Sequence, residues 1–101
     1  MRASTSVSER DFVCVSKNQV SSEVRGEAVI LNLADGTYYG LNPIGAHIWN
    51  LIQKPKSVAA IQAILLAEYD VEVEVCHREL LALLQELAKR GLIEVLDGTS
   101  D

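Results

Sequence analysis

The chain has few aromatic residues, few prolines and no long apolar stretch. Only 5% of its 101 residues are aromatic, so any core must be packed mainly from aliphatic side chains. No apolar run approaches the roughly 18 residues that a membrane-spanning helix requires, and we expect no membrane partner. Hydrophobic residues still make up 49% of the sequence, which is ample for one globular domain and argues against a disordered chain.

Cysteine is also scarce, since Cys14 and Cys76 are the two thiols of the sequence. Residues 1–11 are polar and rich in serine, so they do not read as a secretory signal. We therefore expect a cytoplasmic protein whose thiols are reduced and packed as small hydrophobic groups. The same reading predicts a flexible tail over residues 1–10, a single domain over residues 11–96 and a second tail over residues 97–101.

Groups that could carry catalysis are few and poorly arranged. The two histidines, His47 and His77, do not stand at metal-ligand spacing from cysteines, carboxylates or each other. Cys76 and His77 are adjacent, so on a helix their side chains diverge by roughly 100° and do not readily form a nucleophile–base pair. The glycines form no phosphate-binding loop. The sequence predicts no enzyme, no metal site and no cofactor.

The first half of the sequence has β-strand patterns. Residues 11–16 are apolar and β-branched, residues 27–33 are apolar on both faces as in a central strand, and residues 37–41 are rich in tyrosine. Asp35-Gly36 between the last two is a strong hairpin signal, whereas the polar residues 17–26 are predicted to form a loop. Gly40 is unfavourable inside a strand, and either the close approach of another backbone or a packing or bulge role would explain it.

The second half has helical patterns. Asn42 is a favoured N-cap and Pro43 a favoured first residue, which predicts a helix over residues 43–53. Ser57 caps a second helix to about residue 69, and a third runs from about residue 73 to residue 90, where Gly91 ends it. Residues 92–96 form a last extended segment. The predicted fold class is α+β, three strands followed by three helices in a winged helix-turn-helix layout.

A winged-helix layout raises the possibility of DNA binding, which the charge opposes. The sequence has 9 Lys and Arg against 14 Asp and Glu, for a formal net charge of −5. Glu72 and Glu74 stand at the start of the helix that would enter a DNA groove, where carboxylates repel phosphates. We therefore expect no nucleic-acid partner.

The third predicted helix has a wide apolar arc. Five side chains at helical spacing form its main stripe: Cys76, Leu80, Leu83, Leu84 and Leu87. Glu79 and Glu86 border the stripe on the side of Leu83. Part of the arc could serve the core and part a groove, or the whole helix could be deeply buried, and the sequence leaves both open.

The hairpin and the third helix together predict a peptide-binding site. A second hairpin strand near a sheet edge can pair its main chain with an extended guest peptide, while pockets against the helix supply specificity. An ordinary edge strand with no guest is the alternative. The candidate peptide-binding residues are Thr37, Tyr38, Tyr39, Gly40, Leu41, Glu79, Leu80, Leu83, Leu84, Glu86 and Leu87.

Three stretches of the sequence resemble the PqqD-like family of recognition elements for ribosomally made, modified peptides. They are residues 36–49 (GTYYGLNPIGAHIW), residues 68–71 (EYDV) and residues 87–93 (LAKRGLI). The similarity extends over about residues 11–96. The Leu-Asn-Pro-x-Gly form and the tyrosine-rich strand are most similar to the standalone leader-binding proteins of lasso-peptide biosynthesis.

The resemblance implies both a fold and a set of partners. The family fold is a three-stranded antiparallel sheet on three helices in a winged arrangement, and the leader of a precursor peptide adds as an antiparallel strand beside the third helix. The chain would then be a non-catalytic adaptor. Its partners would be the precursor leader, a transglutaminase-like cysteine leader peptidase and, in lasso clusters, an ATP-dependent cyclase.

Two other interpretations stay open at this stage. The first is an adaptor for a radical SAM peptide-modifying enzyme, as in the quinone-cofactor branch of the family, from which this sequence departs at Tyr38-Tyr39-Gly40. The second is a winged-helix DNA-binding regulator, which would need a basic recognition face.

Overall fold

The computed structural model describes residues 7–96, and residues 1–6 and 97–101 lie outside the described part. The described part contains three helices: α1 (Pro43–Leu51), α2 (Val58–Glu68) and α3 (Val73–Lys89). It also contains six strands: β1 (Phe12–Val15), β2 (Gln19–Val24), β3 (Glu27–Asn32), β4 (Tyr38–Leu41), β5 (Lys56–Ser57) and β6 (Ile93–Leu96).

Strands β2, β3 and β4 form an antiparallel sheet in which β3 is central. Arg25 and Gly26, with φ of 55° and 81°, make the two-residue loop between β2 and β3, and such loops require left-handed backbone. The prediction of a loop over residues 17–26 is therefore wrong for residues 19–24, which form β2. This strand is an edge strand, and its residues from Val20 to Val24 are all exposed, so it lacks the apolar alternation of a half-buried strand.

The turn between β3 and β4 follows the Asp35-Gly36 signal. Asp35 Oδ1 accepts hydrogen bonds from the Thr37 N–H at 3.0 Å and the Thr37 hydroxyl at 2.7 Å. The Asn32 carbonyl accepts the Gly36 N–H at 2.8 Å. Gly36 has a φ of 74°, which glycine adopts without steric cost. These contacts fix the point at which β4 begins.

Strand β1 belongs to a second antiparallel sheet, with the order β5-β1-β6. Two expectations are therefore wrong: β1 does not join the hairpin sheet, and the strands do not all precede the helices. Strand patterns report local conformation, whereas the partners of β1 lie far along the chain, at Lys56–Ser57 and Ile93–Leu96. The structure confirms the coarser prediction of a mixed α and β domain with antiparallel sheets and three helices.

The helices begin where local signals predict. Asn42 Oδ1 accepts the Gly45 N–H at 2.8 Å at the start of α1, and Ser57 Oγ accepts the Ala60 N–H at 3.1 Å at the start of α2. Helix α3 ends at Lys89, and Gly91 follows with a φ of 74°. The strong capping signals thus set the direction in which α1 leaves β4.

Two partly buried hydrogen bonds hold the hairpin sheet against the helices. Trp49 of α1 is 2% exposed, and its Nε1 donates to Ser21 Oγ of β2 at 3.1 Å. Asn32 at the end of β3 donates from Nδ2 to the carbonyl of Arg90 at 2.9 Å. The second contact bridges 58 residues of sequence and keeps the C-terminal end of α3 beside the hairpin turn.

Part of the predicted N-terminal tail packs against the domain. Val7 is 5% exposed, and the Glu9 carbonyl accepts the Ala59 N–H at 3.1 Å. The packed region therefore begins at least as early as Val7, while the predicted tails over residues 1–6 and 97–101 lie outside the described residues. Within residues 7–96, no helix is long and apolar enough to cross a bilayer.

Candidate peptide-binding edge and cleft

The hydrogen-bonding direction of β4 follows from its register with β3. The Asn32 N–H donates to the Thr37 carbonyl at 2.8 Å, and the same register pairs Tyr38 with Leu31, Tyr39 with Ile30 and Gly40 with Val29. Hydrogen-bonded and non-hydrogen-bonded pairs alternate in an antiparallel ladder, so Tyr39 bonds to β3 while Tyr38 and Gly40 turn their N–H and C=O groups outward.

The opposite side of β3 gives the same assignment. The Leu33 N–H donates to the Asn18 carbonyl at 3.0 Å, so odd-numbered residues of β3 bond toward β2 and even-numbered ones toward β4. The outward pair on β4 is therefore Tyr38 and Gly40. Thr37 does not belong to it, because its N–H is bound to the Asp35 carboxylate.

An apolar cleft of about 340 Å³ lies beside this edge. One wall is formed by residues 39–42, a second by the first turns of α1, and a third by one side of the first three turns of α3. The end of α2 and the segment before α3 close it. The lining residues are Tyr39, Gly40, Leu41, Asn42, Ile44, Gly45, Ile48, Leu65, Tyr69, Val71, Cys76, Glu79, Leu80 and Leu83.

The cleft brings together six of the predicted residues: Tyr39, Gly40, Leu41, Glu79, Leu80 and Leu83. The structure does not bring Leu84 or Leu87 to it, because both are 0% exposed and pack in the core. The wide arc of α3 is thus divided, with Leu83 turned to the cleft and Leu84 to the core.

The remaining predicted residues border the site. Tyr38 lies on the edge strand but is 70% exposed, and alternation puts its ring on the opposite face of the sheet from Tyr39. Glu86 Oε2 accepts a hydrogen bond from Arg90 Nε at 2.6 Å. The Arg90 guanidinium in turn lies 4.8 Å from the centre of the Tyr39 ring, so Glu86 acts on the cleft through Arg90 and Tyr39.

Sequence reasoning missed the contribution of α1 and the end of α2. Asn42, Ile44, Gly45 and Ile48 line the cleft because a single residue separates the end of β4 from the start of α1. A Cβ on Gly45 would lie 3.1 Å from Leu41 Cδ2, so glycine there lets α1 approach the strand closely. The Asn42-Pro43 capping signal could have indicated that the start of this helix borders the edge strand.

The electrostatics of the cleft favour binding over nucleophilic chemistry. Burial, and then the Glu79 carboxylate, raise the pKa of the Cys76 thiol above its ordinary value. The thiol is therefore protonated at neutral pH and a poor nucleophile. Glu79 itself is exposed and gives the cleft a negative charge beside its apolar surface.

The two histidines have other contacts. His47 Nε2 lies 3.0 Å from Glu68 Oε1, and its ring meets Tyr69 edge-on at 6.2 Å between centroids. His77 Nδ1 lies 3.0 Å from Gln62 Oε1. Among residues 7–96, no group of three or more His, Cys, Asp or Glu side chains is arranged to hold a metal ion.

The family model described as coenzyme PQQ synthesis protein D (PqqD) matches residues 27–93. This span includes the β4 edge, the cleft and all three helices, and the chain belongs to the PqqD family. The resemblance seen in the sequence is thereby confirmed. No curated protein matches the chain.

Two solved structures share the fold. TbiB1, solved in complex with the TbiA(beta) leader peptide, is 35% identical, with a TM-score of 0.74 over 87% of this chain and 99% of that one. Lasso peptide synthetase B1, solved with its leader peptide, is 24% identical, with a TM-score of 0.72 over 81% of this chain and 96% of that one. The lower identity of the second structure makes it evidence for the fold alone.

Proposed function

We propose that the chain is a non-catalytic recognition element that captures the leader of a ribosomal precursor peptide as an added strand on β4. The observation that carries this proposal is the open edge at Tyr38 and Gly40 lying directly beside the apolar cleft. Main-chain pairing at the edge gives affinity for an extended peptide, and the cleft takes its alternate side chains. The 35% identical TbiB1 is solved in complex with a leader peptide, which supports a leader as the guest.

The edge of β4 is a better candidate than the edge of β2. Among residues 7–96 neither edge is paired with a further strand, but β2 carries Glu23 and is followed by Arg25, which discourage strand addition. No residue of β2 lines the cleft described above. A guest on β4 therefore gains apolar burial as well as hydrogen bonds, and we expect micromolar affinity or tighter, about −8 kcal/mol.

Charge adds a secondary preference. Glu79 in the cleft attracts basic residues of a leader, whereas the predicted role of Glu86 is weakened because Arg90 already pairs with it at 2.6 Å. Glu79 is accessible to solvent, so a pairing there contributes at most about 1 kcal/mol and weakens with salt. The main source of affinity is the edge and the apolar lining.

The pathway we propose is lasso-peptide maturation in the cytoplasm. The chain would hand the bound precursor to a transglutaminase-like cysteine leader peptidase, and an ATP-dependent cyclase would complete the product. The Leu-Asn-Pro-x-Gly form and the tyrosine-rich strand, which resemble the standalone leader-binding proteins of lasso-peptide biosynthesis, favour this branch. An adaptor for a radical SAM peptide-modifying enzyme is the second candidate, because the matching family model is described as a coenzyme PQQ synthesis protein.

The winged helix-turn-helix arrangement stays a prediction, and a role in DNA binding has little support. The first residues of α3 and its N-cap include Glu72 and Glu74, both exposed. Carboxylates at this end of the helix would face the phosphates of a bound duplex.

A proline scan tests the capture mechanism. Proline lacks the N–H donor, so Tyr38→Pro or Gly40→Pro removes an outward hydrogen bond that the leader would accept. We expect each to weaken binding of the leader from the neighbouring precursor gene by roughly 1–3 kcal/mol. Fluorescence anisotropy with labelled synthetic leader measures the change.

Two controls separate this loss from general damage. Glu23→Pro removes an outward N–H on the far edge, β2, and should leave leader affinity unchanged. Tyr39→Pro breaks a bond to β3 and should lower the stability of the hairpin itself. The proposal would be overturned if Glu23→Pro weakened leader binding and Gly40→Pro did not. It would also be overturned if no leader from the gene cluster bound saturably to the unaltered chain.

A further inference from the structure

Within residues 7–96, the structure shows no packing or backbone reason for Gly40 to be glycine. Glycine inside a strand costs roughly 0.5–1 kcal/mol, so it is normally explained by backbone geometry or close packing. Of the five glycines the structure describes, Gly26, Gly36 and Gly91 have positive φ, and a Cβ on Gly45 would be tightly packed at 3.1 Å from Leu41 Cδ2. A Cβ on Gly40 would meet no atom of the described residues within 4 Å, and the φ of Gly40 is not in the left-handed range.

The missing side chain leaves a notch on the outer face of the hairpin sheet. Val29 is directly opposite on β3, and Tyr38 is two residues earlier on the same strand. Both point to the outer face, where Val29 is 42% and Tyr38 is 70% exposed. We call the surface bounded by Val29, Tyr38 and Gly40 the outer notch. It is open on the side where the guest strand would lie.

The guest strand determines what can fill the outer notch. Gly40 turns its N–H and C=O outward, so an antiparallel guest would place one residue directly across from it in a hydrogen-bonded pair. The side chain of that residue lies on the same face as the absent Cβ. Large side chains reach diagonal neighbours on the next strand, so it could cross Gly40 and contact both Tyr38 and Val29.

We propose that the outer notch binds one aromatic side chain of the leader, and that Gly40 determines this specificity. The inference rests on the proposed capture of the leader by β4. An aromatic ring is flat enough to lie over a glycine, and cross-strand aromatic residues compensate for glycine in edge strands. The exposed ring of Tyr38 supplies an offset or edge-on partner.

The outer notch and the cleft would then fix the register of the leader. Alternate residues of a strand point to opposite faces, so the residues on either side of the aromatic would face the cleft. A shift of the guest by one residue would bring the aromatic to the cleft and leave the notch empty. Gly40 therefore selects one register of the leader on β4, which main-chain pairing alone does not select.

The test compares alanine scans of the leader against two forms of the protein. Labelled synthetic peptides covering the leader of the neighbouring precursor gene are titrated against the unaltered chain and against Gly40→Val. Ser22→Val is the matched control, because Ser22 is exposed and pairs with Val29 from the far side, away from the guest. Valine favours strands and its Cβ would have no neighbour within 4 Å among the described residues, so thermal stability should be kept or raised.

With the unaltered chain, we expect that changing one aromatic residue of the leader to alanine lowers the affinity about three- to tenfold. The Gly40→Val protein should bind the unaltered leader more weakly by a similar factor, and the alanine change in the leader should then cause no further loss of affinity. Ser22→Val should leave the affinity for both leaders unchanged. If Gly40→Val binds the unaltered leader normally, or if no aromatic position couples to Gly40, the notch proposal is wrong while leader capture stands. Absence of all leader binding to the unaltered chain would instead remove the proposed function and this inference with it.

Discussion

Two adjacent leucines on α3 provide a sharp test of the division between cleft and core. Leu83 is partly exposed and lines the cleft, whereas Leu84 is 0% exposed. The same substitution, leucine to aspartate, should therefore have different consequences at the two positions. Leu83→Asp should remain folded and bind leader weakly, and Leu84→Asp should lose its fold.

The magnitudes follow from burial. Fully burying a leucine side chain contributes about 1.5–3 kcal/mol, and a carboxylate at Leu83 would also face apolar guest side chains. We expect Leu83→Asp to cost roughly 2 kcal/mol of binding free energy, or about 30-fold in Kd. At Leu84 an unpaired carboxylate would be buried, which costs several kcal/mol out of a typical domain stability of about 5–15 kcal/mol.

Two assays separate these outcomes. Urea unfolding followed by the fluorescence of Trp49, the single tryptophan, reports stability, because its indole is 2% exposed in the folded chain. Anisotropy with labelled leader reports binding. A folded Leu83→Asp variant with unchanged leader affinity would refute the assignment of the cleft, and a stable, fully folded Leu84→Asp variant would refute the division of the α3 arc.

Further predictions concern the thiols and the hairpin turn. Bound leader should slow alkylation of Cys76 in the cleft, measured by mass spectrometry, while Cys14 on β1 reacts at an unchanged rate; equal Cys76 rates would argue against cleft occupancy. Hydrogen bonds from Thr37 lower the pKa of Asp35, so their stabilisation is present above the unfolded pKa and is lost as pH falls through the depressed folded value. The Thr37 amide shift should therefore titrate with a midpoint below the ordinary value for aspartate, and a midpoint above it would contradict this capping role.

Local signals predicted the helices and one hairpin turn well. Asn42-Pro43, Ser57 and Gly91 each act within a few residues, so their effect is visible in the sequence alone. The central position of β3 was also predictable from its two apolar faces, and the structure confirms it.

Elements that depend on distant partners were harder to predict. Strand β2 is polar because it is an exposed edge, and only Arg25-Gly26 hinted at its tight turn. Strand β5 has two residues, too few for any periodicity. The separation of β1 from the hairpin sheet depends on pairing with β5 and β6, which no local pattern encodes.

The candidate site was predictable only in part for the same reason. Helical spacing identified the apolar stripe of α3, but Leu83 and Leu84 differ by only about 100° around the axis. Which of them faces the cleft depends on where α1 and α2 pack. Ile44 in α1 and Tyr69 just after α2 were missed as lining residues because their positions depend on that packing.

Amide hydrogen exchange of the chain with and without saturating leader tests strand addition most directly. The account predicts that exchange slows at the amides of Tyr38 and Gly40, whose N–H groups point outward from β4. It predicts no slowing at Ser21 and Glu23, the corresponding outward amides of β2. Unchanged exchange at Tyr38 and Gly40 under saturating leader would contradict capture of the leader by the β4 edge.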